Sequence, residues 1–538
     1  MTVSGHGALN THEVANQPQP RLSRNFWAED QPLREQAAHA GADTSVLAQA
    51  GHDYGTEQML HAAEEARRDP PRLISFGRDG RRLDEVHFNA GYHAVMALGA
   101  KSGYAALPWE GAAGGHATHA ALTYYMAQLE PGISCPLTMT YAAVPALQND
   151  TDLAALWTPK LTARDYDPHI APLSQKSSAT MGMAMTEKQG GSDVRANATR
   201  AVRDGSDYRL IGHKWFCSAP MCDGFLTLAQ APGGLTCFVV PRWLEDGSRN
   251  TMHVLRLKEK LGNRANASSE IEYDYALAHR LGEEGQGVKT IIEMVHHTRL
   301  DTAIAPAGLM RAALSEAKWW VAGRSAFQRR LIDQPLMQSV MADLALDQEA
   351  ALALAMGCAH AFDGQTDEDR AFARIAVALA KYLSNKRAPG VIYEAMECLG
   401  GMGYIEETPM PMLYREAPLN SIWEGSGNVI CLDILRTLAR APASAEALMA
   451  RLQRVLGQDA RYDAALQAHS ERWPGVPPEA EARWFTESLA TLLAASMLLE
   501  TAPNAVADGY ITTRIAGQRG ATAGAVSGID CAAIMARI

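Results

Sequence analysis

No two of the eight cysteines in this 538-residue sequence form a C-x-x-C pair. Cys135, Cys217, Cys222, Cys237, Cys358, Cys398, Cys431 and Cys531 are scattered, which indicates neither a zinc knuckle nor a disulfide framework. No apolar run is long enough to span a bilayer. The polar start "MTVSGHGALNTHEVANQPQPRL" has no apolar h-region of the kind that marks a secretory signal. The expectation is a soluble, reduced, cytoplasmic protein with no membrane contact. An excess of positive charge is also missing: the formal net charge is −11, which argues against wholesale electrostatic binding of nucleic acid but not against a local basic patch. Beyond Thr437 there is no lysine at all.

What is present is a chain too long for one core, with an ordinary 47% of hydrophobic residues. Its texture changes along its length. Residues 1–45 are polar and loop-like, an N-terminal extension. Residues 46–175 read as helical, as in "THAALTYYMAQLE". From 176 to 290 short β-rich runs such as "YRLIGHKWFCSA" and "LTCFVVPRW" alternate with Gly, Asp and Asn turns. Long amphipathic helices return over 291–440, as in "QSVMADLALDQEAALALAMGCAHAF". A boundary at "RAPASAEA" opens a helical extension over 441–538. The fold class is α+β, multidomain.

Two stretches carry candidate chemistry. In "AMTEKQGGSDVRA", Gly190 and Gly191 permit close approach of a ligand to the backbone, and Thr186 and Ser192 offer hydroxyls to a polar heterocycle or phosphate; a Gly-rich hairpin loop is the alternative. In "NSIWEGSGN", Glu424 stands before a helical run. It is either an acidic neighbour of a helix capped by Ser426 or Asn428, or a base aimed at a substrate. No strand–turn–helix with G-x-G-x-x-G spacing surrounds Gly282 to Gly287, so it is not a dinucleotide fingerprint. His116 and His119 have i, i+3 spacing but no third ligand, and no metal site is assigned.

The first stretch resembles, position by position, the first signature of the acyl-CoA dehydrogenase family of flavoproteins. "ECLGGMGYIEETPMPMLYREAPLNSIWEG" resembles a second family segment, with Glu397 where Gln is usual and Met412 where Lys or Arg is usual. "RSAFQ" from Arg324 resembles R-x-x-F-G, with Gln328 for the Gly. The resemblance implies an N-terminal helical domain, a middle β-barrel or sandwich, and a C-terminal helical bundle, with non-covalent FAD between the last two. It implies flavin contacts from Met185, Thr186, Gly191, Ser192, Phe216, Cys217, Ser218, Trp423, Gly425, Ser426 and Asn428. Phe216 would pack on the ring and Ser218 would donate towards N5. Trp215, one position early in an alternating strand, should point away. Arg324, Phe327, Glu397, Gly400 and Gly401 are implied as contacts to the ADP part, with Arg324 and the Gly400–Gly401 loop reaching across a subunit boundary of a homotetramer. The family reaction removes the α-proton of an acyl-CoA thioester and passes the β-hydrogen to the flavin as hydride. Glu424 matches the base of the short- and medium-chain members; the alternative base position, on an upstream helix before an Arg, holds Thr298, which cannot be a base.

The longer front, with "NQPQP", "GRRLDEVHFNAGYHAVM" and "CPLTMTYAAVPAL", and the tail are similar to the AidB group, the alkylation-response flavoproteins. That resemblance implies a tetramer with weak acyl-CoA dehydrogenase activity that binds double-stranded DNA through the C-terminal extension. Arg436, Arg514 and Arg519 are the candidate phosphate contacts. Two other functions compete: an ordinary short- or branched-chain (isovaleryl-like) acyl-CoA dehydrogenase, and a DNA-shielding structural protein with a vestigial flavin.

Overall fold

The computed structural model describes residues 11–538; the part of the expected N-terminal extension before residue 11 lies outside them. The extension is not all loop. Asp30 accepts the Leu33 N–H and starts α1 (Gln31–His39) inside it. Helices α2 (Thr44–Tyr54), α3 (Glu57–Arg68) and α4 (Ala90–Lys101) are capped in the same way by Asp43, Thr56 and Asn89. Between α3 and α4 lies a hairpin, β1 (Arg72–Phe76) and β2 (Arg82–His87), within a region read as helical. Helices α5 (Gly115–Leu129), α6 (Pro131–Leu147) and α7 (Thr151–Leu161) complete this part. Every residue of α5 is buried, which makes it the central rod of the helical core.

Seven strands follow: β3 (Met181–Ala184), β4 (Arg200–Asp204), β5 (Asp207–Ser218), β6 (Gly224–Ala231), β7 (Gly234–Pro241), β8 (Met252–Leu257) and β9 (Ser268–Leu281). Strand β6 pairs with both β4 and β7, and β5 and β9 link those two, so the pairings β6–β4–β5–β9–β7–β6 close into a small barrel. After β9 the chain turns at Gly282–Gln286 into α8 (Gly287–Gly323). A strand, a turn and a helix therefore surround the Gly282–Gly287 run, without G-x-G-x-x-G spacing. Strand β9 pairs antiparallel with β5, β7 and β8, and the glycines fall at 282, 285 and 287.

Helices α8, α9 (Pro335–Asp363) and α10 (Asp367–Glu397) run up, down and up, with a two-residue hairpin β10 (Ser325–Ala326), β11 (Arg329–Arg330) after α8. Thr366 and Asp369 form a reciprocal capping box that opens α10. Helices α11 (Met410–Glu416) and α12 (Gly427–Arg440) flank the turn that carries Glu424. The tail adds α13 (Pro442–Gln453), α14 (Ala460–Arg472), α15 (Ala482–Thr501), α16 (Asn504–Tyr510) and α17 (Cys531–Met535).

The described residues form two hydrophobic cores. One joins α1–α5, α8–α12 and the tail helices, so the residues expected as a separate extension share the bundle's core; Leu448, Leu452, Leu493 and Ile534 are fully or almost fully buried in it. The other fills the barrel and its contact with α6 and α7. Trp423 packs against this second core while its neighbours belong to the bundle, which sets the Glu424 turn at the junction of the two.

Candidate active site

The junction is built from four segments. From the barrel comes the loop after β3. Glu187 is fully buried there; its carboxylate takes the Lys214 ammonium at 2.8 Å, the Thr199 N–H, the Ala198 N–H and Gln189. Burial alone would raise its pKa, but these donors hold it down to about 2. Burial also depresses Lys214. With four donors on one carboxylate the charged pair is the state the geometry supports. Glu187 is thus the keystone of the loop. Gly191 is required because a side chain there would strike the Thr186 hydroxyl.

Thr186 is tied to β5 through its carbonyl, which accepts the Trp215 N–H at 2.7 Å. At that point β5 bulges: Lys214 faces Ile271 and Cys217 faces Ser269, so Trp215 and Phe216 together oppose one residue. The extra residue breaks the alternation that would have turned Trp215 away. The Lys258 ammonium lies 3.3 Å from the Trp215 ring centre and 4.9 Å from that of Phe216, so both rings are within reach of one cation. Phe216 is 49% exposed, an aromatic face open to a ligand. Cys217 does not join it: its side chain is sealed in the barrel core, and only its main chain is available.

The bundle supplies the base. Glu424 adopts φ 57° and is followed by Gly425 at φ 103°, a left-handed turn that lifts the carboxylate off the end of α12. Ser426 is the residue before α12 but makes no side-chain cap, so capping does not explain the turn. The Thr298 hydroxyl on α8 lies 2.8 Å from Glu424 Oε2. Desolvation pushes the Glu424 pKa above the usual carboxylate range, against Thr298, Lys381 and Arg299, which pull it down. Arg299 also donates to the Glu424 carbonyl at 3.3 Å and is neutralised by Asp433 at 2.6 Å.

The fourth segment was not anticipated. Cys135, buried on α6, carries a thiol that burial raises to about 11 and that lies within the field of Glu424. Sequence gave only an isolated cysteine in an apolar helix. At the helix–barrel crevice the contacts join Thr186 to Trp215 and Thr298 to Glu424, with Trp423 packed on the barrel core and Gly425, Ser426 and Asn428 at the start of α12.

Arg324, Phe327, Glu397, Gly400 and Gly401 are not part of this crevice in the same chain. Thr298 and Arg324 are 26 residues apart on and just beyond α8, about 39 Å at 1.5 Å per residue. The up–down–up course gathers Arg324 and the Glu397–Gly401 segment at the far end of the bundle. There Phe327 is 97% exposed on a turn with φ 51° and Gln328 at φ 62°. This hairpin is pinned by the N-terminal segment: Asn16 donates to the Ser325 carbonyl at 2.9 Å and accepts its N–H at 2.7 Å.

The tail arginines need correction. Arg514 is buried, with 2% of its side chain exposed, and bonds Asp343 at 2.6 Å and Asp347 at 2.9 Å. Arg519 pairs with the same two carboxylates. Neither guanidinium is free for a phosphate. Arg436 is exposed and, among the described residues, has no ion pair; Arg440, one turn on, shares both properties. His119 bonds Asp301 at 2.7 Å and the Tyr104 carbonyl, and His116 bonds the Tyr141 hydroxyl, so both histidines are occupied. No helix among the described residues is long and apolar enough to cross a membrane.

Three family models match the chain in succession: the adaptive response protein AidB N-terminal domain over residues 16–168, the acyl-CoA dehydrogenase middle domain over 182–276 and the acyl-CoA dehydrogenase C-terminal domain over 285–439. AidB of Escherichia coli strain K12, a candidate acyl-CoA dehydrogenase, is 42% identical over 508 residues, covering 93% of this chain and 94% of that one. The solved structure of Caenorhabditis elegans ACDH-11 in complex with C11-CoA superposes with a TM-score of 0.83 at 26% identity, covering 94% of this chain and 93% of that one. A glutaryl-CoA dehydrogenase from Mycobacterium smegmatis in complex with FADH2 shares the fold at 19% identity and a TM-score of 0.57, covering 76% of this chain and 95% of that one.

Proposed function

Because the chain belongs to the acyl-CoA dehydrogenase family, within its AidB group, we propose that Glu424 is the base that takes the α-proton of an acyl-CoA thioester. The chain is an FAD-dependent oxidoreductase of the acyl-CoA dehydrogenase type. The residues of the crevice fit that cofactor. A half-exposed Phe216 offers an apolar face, Thr186, Ser192 and Ser218 offer hydroxyls, and Gly191 leaves the loop open. Bound FAD supplies the acceptor for the hydride that leaves the substrate β-carbon.

The observation that carries the proposal is the Thr298–Glu424 contact at the helix–barrel junction. A general base works best with a pKa near the operating pH. Desolvation raises that of Glu424, and Thr298 holds its oxygen in one place. The strained turn aims the carboxylate into the crevice. Anaerobic mixing with a panel of short, branched and longer acyl-CoAs, followed by bleaching of the flavin absorbance, tests this. Absence of bleaching by every member of the panel, with FAD bound, would remove the dehydrogenase reading.

The remaining properties are proposed from the AidB group: a cytoplasmic homotetramer of the alkylation response, associated with double-stranded DNA. The exposed Phe327 hairpin and the distance between it and Glu424 support a subunit contact that completes a neighbour's cofactor site. The exposed, unpaired Arg436 supports the DNA association. A specific observation favours the second reading, an ordinary short- or branched-chain acyl-CoA dehydrogenase without a DNA role: the tail spends Arg514 and Arg519 on internal ion pairs. A salt-dependent gel shift with duplex DNA separates the two.

A further inference from the structure

Lys381 sits in the middle of α10 with 1% of its surface exposed. A buried lysine ordinarily has a carboxylate at bonding distance. Lys381 has none among the described residues. Its ammonium instead donates to the Asn420 carbonyl and the Gly425 carbonyl, both at 2.9 Å. Those two carbonyls bracket the Glu424 turn. The acidic group whose field acts on Lys381 is Glu424 itself.

We infer that Lys381 is a positioning residue for the base: its ammonium clamps the left-handed turn that carries Glu424 and is the counter-charge against which that carboxylate ionises. The inference rests on the reading of Glu424 as the base. The other charged groups around the pair do not fill this role. Arg299 on α8 adds a weaker pull on Glu424, but it bonds only the Glu424 carbonyl and shares Asp433 on α12 with Arg374 on α10. Lys386 on α10 adds a like charge to Lys381. Cys135 on α6 is a thiol held protonated by burial. Thr298 is neutral.

The arrangement has a chemical consequence. While Glu424 is ionised it sustains the charge of Lys381. When Glu424 takes up a proton, Lys381 keeps its carbonyl bonds but loses its counter-charge. Burial lowers Lys381 to about 7, so the clamp itself titrates close to neutrality. The carboxylate and the ammonium therefore titrate as a pair.

The test reads the ionisation of Glu424 without substrate. Infrared difference spectroscopy of the FAD-loaded protein isolates the carboxylic-acid C=O band that disappears in Glu424→Gln, and that band is titrated against pH. Lys381→Gln keeps two N–H donors for the turn and removes the charge; Lys381→Arg keeps the charge. The expected result is a Glu424 midpoint at least about one unit higher in Lys381→Gln, a tenfold weaker acid, with Lys381→Arg close to wild type. A midpoint in Lys381→Gln equal to wild type would overturn the inference. So would failure of Lys381→Gln to hold FAD or fold while Lys381→Met does, since a hydrogen-bonding clamp could not explain that order. If both lose the fold, Lys381 is a folding residue and the inference falls. A shifted midpoint in Lys381→Gln together with a wild type that bleaches with no acyl-CoA would sink the base reading and leave the coupling standing.

Discussion

The hydroxyl of Thr298 stands 2.8 Å from Oε2 of Glu424 and 3.1 Å from the Val295 carbonyl, and it has one proton to give. When Glu424 is a carboxylate the proton belongs on that bond. When Glu424 has taken a proton, its carboxyl donates to Thr298 Oγ1 and the threonine turns its own proton to Val295. One side chain thus supports both states of the base. Thr298→Val removes this support while nearly preserving shape. A hydrogen bond to a charged group is worth about 1.5–3 kcal/mol. The acidic limb of the pH profile for acyl-CoA-driven flavin bleaching should therefore move up by about one to two units, with the rate regained at high pH. An unmoved limb with a uniformly lower rate would show Thr298 to be packing only.

Glu424→Gln should retain FAD and the fold, because the amide is nearly isosteric, and should abolish flavin bleaching by any acyl-CoA, because it cannot accept the α-proton. Bleaching at a rate near wild type would move the base elsewhere; no other carboxylate among the described residues is bonded to Thr298.

Glu187 and Lys214 yield a stability prediction. Glu187 is depressed to about 2, below its ordinary value, so its contribution is present above roughly pH 4.5 and is lost as pH falls through the folded value. Glu187→Gln leaves a buried ammonium unpaired and should cost about 3–5 kcal/mol, with loss of FAD because the Thr186–Gly191 loop is anchored there. Glu187→Gln with Lys214→Met should recover much of that. Thermal unfolding of the three proteins between about pH 2 and pH 7 checks both claims. Equal stability of the single and double variants would refute the pairing.

Much of this was legible because local pattern and local structure agree. Alternating runs became the barrel, and the periodic run from Gln338 became α9. The Glu424 turn was readable from its own residues. What escaped depends on partners far away in sequence. The bulge at Trp215–Phe216 is a mismatch of register against Glu270, invisible in β5 alone. Lys381 reads as an ordinary helix lysine until Asn420 and Gly425 arrive above it. Arg514 reads as a surface charge until Asp343 and Asp347 on α9 bury it. The β1–β2 hairpin carried a local signal, the "GRDG" turn, that the surrounding helices masked.

Arg514 should now behave as a core residue. Arg514→Ala leaves two buried carboxylates with only the longer Arg519 contacts and should cost about 3–5 kcal/mol, read as a lower unfolding midpoint at neutral pH. Deletion beyond Arg440 should be worse, since it strips Leu448, Leu452 and Leu493 from the shared core; aggregation is the expected outcome. A truncated chain that stays monodisperse and keeps its FAD would show that the tail folds apart from the bundle.

The proposed DNA association then rests on α12. Arg436 and Arg440 are one turn apart, exposed, and without ion pairs among the described residues, so they can meet successive phosphates with little internal cost. Each replacement by Ala should leave stability within about 0.5 kcal/mol. If the two guanidinium groups contact phosphates, each loss should lower the slope of log affinity against log salt by about one, with no dependence on DNA sequence. Glu424→Gln should bind duplex DNA like wild type, because the base lies in the crevice and not on the outer face of α12. The double arginine variant should keep its flavin bleaching. Binding curves at several salt concentrations for wild type, each single variant and the double variant decide the matter. An unchanged slope in the double variant would remove α12 from the interface, and absence of salt-dependent binding in the wild type would leave the acyl-CoA dehydrogenase reading alone.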